Sequence, residues 1–182
     1  MVKRLAAGAG RLTSIPGILN SVTYDAAGRP LEQGNANGTA TTRTYVPERG
    51  LLDTQVTTTT APGGLVQNLD YEYDPDLPLV TSMRSPIAGE SWDYGYDDGY
   101  RLVTSTHMTN PANSQSFTYD ALGRMTSNSR VGSYEYPLDG QPRPHAPVTA
   151  GGAAYTYYAN GNLQSGSGRS PVWDAENRIS AI

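Results

Sequence analysis

Carboxylates, tyrosines and two histidines are the residues of this 182-residue sequence whose types do chemistry. Asp93, Asp97 and Asp98 cluster, and Asp74 and Asp76 flank Pro75, spacings that suit a calcium site or a carboxylate pair sharing a proton. Neither group carries the twelve-residue loop with a closing Glu that a calcium hand requires. His107 and His145 stand 38 residues apart, outside any HExxH-like ligand spacing. Gly89-Glu-Ser-Trp-Asp93 begins as a nucleophile elbow but lacks the last glycine. Gly166-Ser-Gly168 lies in a Ser-rich turn region without the pattern of a phosphate or dinucleotide loop. No residue is therefore assigned to catalysis, to a metal or to a cofactor. The tyrosines remain. Exposed rings beside Asp and Asn make a surface on which sugar rings stack, and Tyr71, Tyr73, Tyr94 and Tyr96 are the candidates for a ligand-facing side.

The same aspartates and tyrosines recur in one short pattern. Phe117-Thr-Tyr-Asp-Ala-Leu-Gly-Arg-Met125 is its clearest copy: Tyr-Asp, two free positions, Gly-Arg, then an apolar residue. Such a stretch is a strand, a tight turn and a returning strand. Asp120 opens a type I turn by accepting backbone N–H bonds on its side chain, and Gly123 supplies the left-handed conformation that closes a three-residue hairpin loop before Arg124.

Seven related repeats accompany it. Val22–Leu31 is nearly identical, with Tyr24, Asp25, Gly28 and Arg29 in the same places. Tyr45–Leu51 is degenerate, with Pro47 in the turn; Tyr71–Leu79 holds Tyr73 and Asp74 without the glycine; Tyr94–Leu102 holds Tyr96 and Asp97 with the glycine one place early. Tyr134–Gly140 follows. Tyr155–Leu163 contributes Tyr157, Asn160 and Gly161, and Val172–Ile179 contributes Trp173, Asp174 and Arg178. Counting from Tyr24 through Tyr45, Tyr73, Tyr96, Tyr119, Tyr136 and Tyr157 to Trp173, the anchors are spaced by 21, 28, 23, 23, 17, 21 and 16 residues. The period is loose but sustained.

In five of the eight repeats the residue two before the anchor is also aromatic: Tyr71, Tyr94, Phe117, Tyr134 and Tyr155. Residues two apart in a strand share a face, so each pair sets two rings side by side, and neighbouring strands are expected to align them in cross-strand ladders. Arg29, Arg101, Arg124 and Arg178 follow their turns and are placed to lie over a ring or to pair with a turn Asp.

Composition agrees with strands. Thirteen Tyr, 2 Trp, 20 Gly and 13 Pro against a single Phe favour short strands and turns, and no 3.6-residue apolar pattern runs for three turns. A net charge of −4 gives no basic footprint and argues against nucleic acid as a partner. The absence of cysteine removes disulfides and thiol chemistry. The opening, Met1 to Gly10, has the charge of a secretory leader without its apolar run, so neither a signal peptide nor a membrane span is expected. Asn37-Gly-Thr39 formally reads as a glycosylation acceptor, yet Asn-Gly is also hairpin chemistry. Thr- and Val-containing stretches such as 51–57 and 102–108 suit connecting strands, and Pro62-Gly-Gly64 and Gly151-Gly152 suit hairpin tips. The Pro-rich run 137–147 is expected to be a loop within one continuous domain. These readings divide the chain into an N-terminal extension, 1–21, and a β domain of eight repeats, 22–182.

Tyr24-Asp-Ala-Ala-Gly-Arg29 and Tyr119-Asp-Ala-Leu-Gly-Arg124 resemble the YD repeats of the RHS (rearrangement hotspot) family. The stretch from Arg143-Pro-His-Ala-Pro147 through Tyr157-Tyr-Ala-Asn-Gly-Asn-Leu163 to Trp173-Asp-Ala-Glu-Asn-Arg178 resembles the later part of such arrays, so the likeness spans residues 22 to 182. It implies a long strip of antiparallel hairpins that spirals into a hollow shell. Bacterial polymorphic toxins and insecticidal toxin complexes of this kind enclose a C-terminal toxic domain, and animal teneurins use a similar shell in adhesion. It also implies export to the medium or cell surface by a specialised secretion system, with a cytoplasmic stage before it. The bacterial members carry an aspartyl autoprotease with a DPxGxxDP-like signature. Here Asp74-Pro75 is the single Asp-Pro, and no toxin-sized stretch follows Ile182, so neither self-cleavage nor toxicity is expected of this polypeptide.

The expected fold is therefore all-β, with about sixteen short antiparallel strands, two per repeat, in a curled strip or partial shell. Its expected role is structural: to enclose or present a toxin, with further RHS segments or a C-terminal cargo as partners and no catalysis. The alternative is a module binding carbohydrate or a cell-surface receptor through its tyrosine-rich face.

Overall fold

A computed structural model describes residues 5–7, 10–60 and 64–182. Most of Met1 to Gly10, and Pro62-Gly63 of the expected tip, lie outside the described residues. Apart from one 3-10 turn at Pro111–Asn113, the regular structure among the described residues is all β. By packing, the chain forms two compact units, Met1–Gly95 with Thr106–Asn113, and Tyr96–Ser105 with Ser114–Ile182.

In the first half of the chain β1 (Leu5–Ala7) pairs antiparallel with β2 (Arg11–Ser14). There follow β3 (Leu19–Tyr24), β4 (Pro30–Asn35), β5 (Thr39–Tyr45), β6 (Leu52–Thr59), β7 (Leu65–Tyr73), β8 (Val80–Arg84) and β9 (Trp92–Tyr96). The second half contains β10 (Leu102–His107), β11 (Gln115–Tyr119), β12 (Met125–Asn128), β13 (Gly132–Glu135), β14 (Thr149–Ala150), β15 (Ala153–Tyr157), β16 (Leu163–Gly166), β17 (Val172–Trp173) and β18 (Ile179–Ala181). Strands β3 to β16 form a fourteen-stranded antiparallel sheet in strict chain order, with β3 and β16 outermost, and β17–β18 is a separate hairpin. The expected all-β strip of antiparallel hairpins is present, with fourteen strands in one sheet and two further hairpins where a single strip of about sixteen was expected from two per repeat. β3 begins at Leu19, before Val22, and the stretch 137–147 contains no strand.

The alternation that the sequence carries is visible in exposure. Phe117 and Tyr119 are half-buried while Thr118 between them is exposed, and the same holds for Tyr71 and Tyr73 about Glu72 and for Tyr155 and Tyr157 about Thr156. One face of the sheet thus collects the rings, and the other presents hydroxyls and carboxylates to water, with Thr118 and Thr156 bonded to Ser127 and Ser165 across the strands. Among the described residues few side chains are fully buried, and the buried hydrophobic ones are Leu19, Leu69 and Ala150.

Five turns share one geometry. The Asp25 carbonyl accepts the Gly28 N–H at 3.0 Å while the Asp25 N–H donates to the Arg29 carbonyl at 2.9 Å, and Asp120–Arg124, Asp97–Arg101, Tyr158–Asn162 and Asp174–Arg178 repeat both bonds. Each is a type I turn closed by a left-handed residue, and four have a bulge opposite: the strand register slips on the anchor at Tyr24, Tyr119, Tyr157 and Trp173. The position three after the turn-opening residue is left-handed in all five, whatever residue fills it. Gly28 has φ 87 and Gly123 φ 80, but Tyr100 has φ 62 and Asn177 φ 59. The early glycine of the fourth repeat, Gly99, does not move the turn, because Asp97 fixes it: its Oδ1 accepts the N–H groups of both Gly99 and Arg101.

Candidate functional site: the joint between repeats

The arginine and aspartate of a repeat act together. Asp25 Oδ1 accepts the Arg29 backbone N–H at 2.8 Å and its Oδ2 accepts Arg29 Nε at 2.6 Å; Asp120 holds Arg124 by the same two bonds at 2.9 and 2.6 Å, and Asp97 holds Arg101 at 3.0 and 2.7 Å. Asp174 repeats the clamp on Arg178, where the guanidinium stays largely exposed. The backbone N–H of Arg29 foremost holds the Asp25 carboxyl below the usual carboxylate range, and the guanidinium groups of Arg101 and Arg124 foremost do the same for Asp97 and Asp120.

The clamped arginine then reaches the next repeat. Arg29 lies over the Tyr45 ring with its guanidinium carbon 4.4 Å from the centroid, Arg101 over Tyr119 at 4.9 Å and Arg124 over Tyr136 at 4.9 Å. Two arginines outside the sequence pattern serve likewise, Arg11 over Tyr24 at 5.7 Å and Arg49 over Tyr73 at 5.9 Å. Arg11 carried a signal in sequence, since Gly10-Arg11-Leu12 is the second half of the motif without its Tyr-Asp. Arg49 precedes its glycine and carried none.

The ring answers with its hydroxyl. Tyr24 donates to the Leu12 carbonyl at 2.6 Å, Tyr45 to Pro30 at 2.8 Å, Tyr73 to Leu52 at 2.6 Å, Tyr119 to Leu102 at 2.8 Å, Tyr136 to Met125 at 2.8 Å and Tyr157 to Pro147 at 3.0 Å. Trp173 does the same with its indole, Nε1 donating to Leu163 at 2.8 Å. In the joints of Tyr24, Tyr45, Tyr119 and Tyr136 the accepting carbonyl belongs to the residue just after the stacking arginine. Arginine and ring therefore lock one strand start from two sides. Arg101 and Arg49 add bonds to the carbonyls of Asp120 and Asp74, the residues just after the rings they cover. Burial raises the phenol pKa values of Tyr71, Tyr73, Tyr96, Tyr136 and Tyr157 above the usual tyrosine value.

The ring contacts of Tyr24, Tyr45, Tyr73, Tyr119 and Tyr136 are thus with guanidinium groups, where ring-on-ring ladders were expected. The reason is spacing. Anchors end every second strand, so successive rings stand about 9.6 Å apart, beyond aromatic contact, and the arginine from the intervening strand fills the interval.

The remaining candidates fall elsewhere. Asp93 pairs with Arg84, and Asp74 Oδ1 accepts the N–H groups of Asp76 and Leu77. His107 is buried edge-on against Trp92, centroids 4.6 Å apart, with Nε2 bonded to the Gly89 carbonyl at 2.9 Å and Nδ1 accepting the N–H groups of Thr109 and Asn110. His145 is exposed. Asn37 caps a hairpin turn, its Oδ1 accepting the Thr39 N–H at 3.1 Å. Asn160 Oδ1 accepts the Asn162 N–H at 3.2 Å in the turn that Gly161 closes. Among the described residues no helix is long and apolar enough to cross a membrane.

Residues 24–66 match the RHS Repeat family model. Over that segment the chain carries an RHS repeat. That segment begins on the Tyr24 anchor and covers the joint of Arg29 with Tyr45. Thirty chains of solved structures match the fold. One is the crystal structure of TcdB2-TccC3-TEV, 20% identical with a TM-score of 0.65 over 94% of this chain. This chain spans 12% of that neighbour's length. Comparison with curated proteins finds no match.

Proposed function

We propose that this chain is a structural segment of an RHS-type shell that encloses or presents a toxin cargo, and that it does no catalysis itself. The observation that carries the reading is the recurring joint: aspartate clamps arginine, arginine covers the next ring, and that ring's hydroxyl or indole bonds the strand start. On this reading Tyr24, Asp25, Gly28, Arg29, Tyr119, Asp120, Gly123, Arg124 and their counterparts hold repeat to repeat and make a wall. The fold likeness to the far longer TcdB2-TccC3-TEV chain supports a segment within a larger whole. The open chain-order sheet supports it too, since the hairpins β1–β2 and β17–β18 beyond it end in outer strands, and an outer strand is a template for further pairing. The partners are then more RHS repeats on either side and the enclosed cargo, with export by a specialised secretion route.

The glycan-binding alternative has less to stand on. Tyr73, one of its four candidate rings, has its hydroxyl given to Leu52 and its face under Arg49. Single-particle imaging of the natural gene product that contains this chain tests the shell reading. A hollow wall in which neighbouring repeats continue beyond the hairpins β1–β2 and β17–β18 supports it; a compact solid particle, or a pocket with turnover, overturns it.

A further inference from the structure

Arginine covers the rings of five anchors, and Trp173 is not among them. In the seventh repeat Asn162 occupies the place that Arg29, Arg101 and Arg124 hold in theirs, and Tyr158 replaces the aspartate. The turn itself is kept, with Tyr158 N donating to the Asn162 carbonyl at 2.9 Å and Gly161 N to the Tyr158 carbonyl at 2.9 Å. The next anchor keeps its part as well, through the Trp173 bond to Leu163. Among the described residues no arginine stands over the Trp173 ring. Where the guanidinium would lie is an open groove of about 480 Å³, whose lining includes Tyr158, Asn160, Asn162, Trp173 and Asn177.

The walls suit the group that is lacking. Indole is the best of the aromatic faces for a cation, and Tyr158, 44% exposed, offers a second ring. Asn160 Nδ2 and Asn162 Nδ2 both donate to Asn177 Oδ1, at 3.1 and 2.9 Å, which fixes the amides as a set. Among the described residues no donor engages Asn162 Oδ1, which leaves an acceptor for a planar N–H donor. We propose that this groove binds an arginine side chain of a partner polypeptide, which restores from outside the stack that five other joints make within the chain. An ammonium group is a compact, strongly hydrated charge that cannot lie flat on the indole, so arginine is preferred over lysine.

Nuclear magnetic resonance of the whole chain tests this, since its two tryptophans give two indole N–H signals, assigned with Trp173→Phe. Titration with N-acetyl-arginine amide should shift the Trp173 signal saturably and leave Trp92 in place, with N-acetyl-lysine amide several-fold weaker. Asn162→Arg fills the groove from within the chain and should lower the affinity by about tenfold or more, while the dispersed spectrum shows the fold intact. Tyr158→Ala, at an exposed position, should weaken binding in the same direction. The proposal is overturned by the absence of a saturable shift, by equal response to lysine, by preference for a neutral methyl glycoside, or by undiminished binding in Asn162→Arg.

Discussion

Two glycines in equivalent turns should respond differently to the same substitution. Gly28 and Gly123 both have left-handed backbones, φ 87 and φ 80. A Cβ at Gly123 meets nothing within 4 Å, whereas one at Gly28 falls 2.3 Å from Arg11 Nη2 and 2.6 Å from its Cζ. Gly123→Ala therefore carries only backbone strain, about 1–2 kcal/mol, less about 0.4–1 kcal/mol regained because alanine restricts the unfolded chain. The net loss is about 1 kcal/mol. Gly28→Ala carries the same strain and also drives Arg11 off the Tyr24 ring, a contact of about 0.5–1 kcal/mol at a partly exposed site. Its loss should be about 1.5–2 kcal/mol. In an Arg11→Ala background the extra part vanishes, leaving Gly28→Ala at about 1 kcal/mol. Urea unfolding measures all of this, with Trp92 and Trp173 reporting one compact unit each. Equal costs for the two glycines, or a Gly28→Ala cost that Arg11→Ala leaves unchanged, would refute the joint as described.

Tyr119→Phe removes the donor to the Leu102 carbonyl and should lower stability by about 1 kcal/mol in the same assay; no change would show that water replaces the hydroxyl freely. Arg124→Lys should recover less than half of what Arg124→Ala loses, because a lysine cannot both lie flat on Tyr136 and hold Asp120, and full recovery would count against the stack. Stability should fall at both ends of the pH scale. Neutral phenols at Tyr73, Tyr136 and Tyr157 are favoured in the folded chain, so their contribution is complete below the unfolded tyrosine pKa of about 10 and is lost as pH rises through the higher folded values. Asp25, Asp97 and Asp120 act oppositely, contributing above about 3.9 and losing it as pH falls through their depressed values. A urea midpoint that stays level from neutral to strongly alkaline pH contradicts the first assignment, and one that rises on acidification contradicts the second.

What could be read in the sequence was what local chemistry decides. The strand–turn–strand form of Phe117–Met125 follows from Asp120 and Gly123 alone, because a type I turn with a left-handed closure needs no distant partner. The shared face of Tyr71 and Tyr73 follows from the two-residue period of a strand. What joins the repeats was not legible, because it depends on which strand start lies beside which ring. Nothing near Arg49 in sequence points to Tyr73, and the indole of Trp173 doing the work of a phenol hydroxyl is a matter of reach. The fourth repeat shows the limit of pattern matching. Its glycine is at 99, but Asp97 sets the register of the turn and Tyr100 takes the left-handed place. The fixed element is the backbone geometry, and glycine is only its commonest occupant.

The central claim is that this chain is a section of wall made to continue on both sides. Sedimentation velocity of the purified chain over a wide concentration range tests it most directly, against a monomer mass of 19.5 kDa. The account predicts species heavier than the monomer that grow with concentration, as the end hairpins β1–β2 and β17–β18 pair with other copies or with added repeat segments. A stable, soluble 19.5 kDa monomer across the whole range, with no partner present, would contradict it.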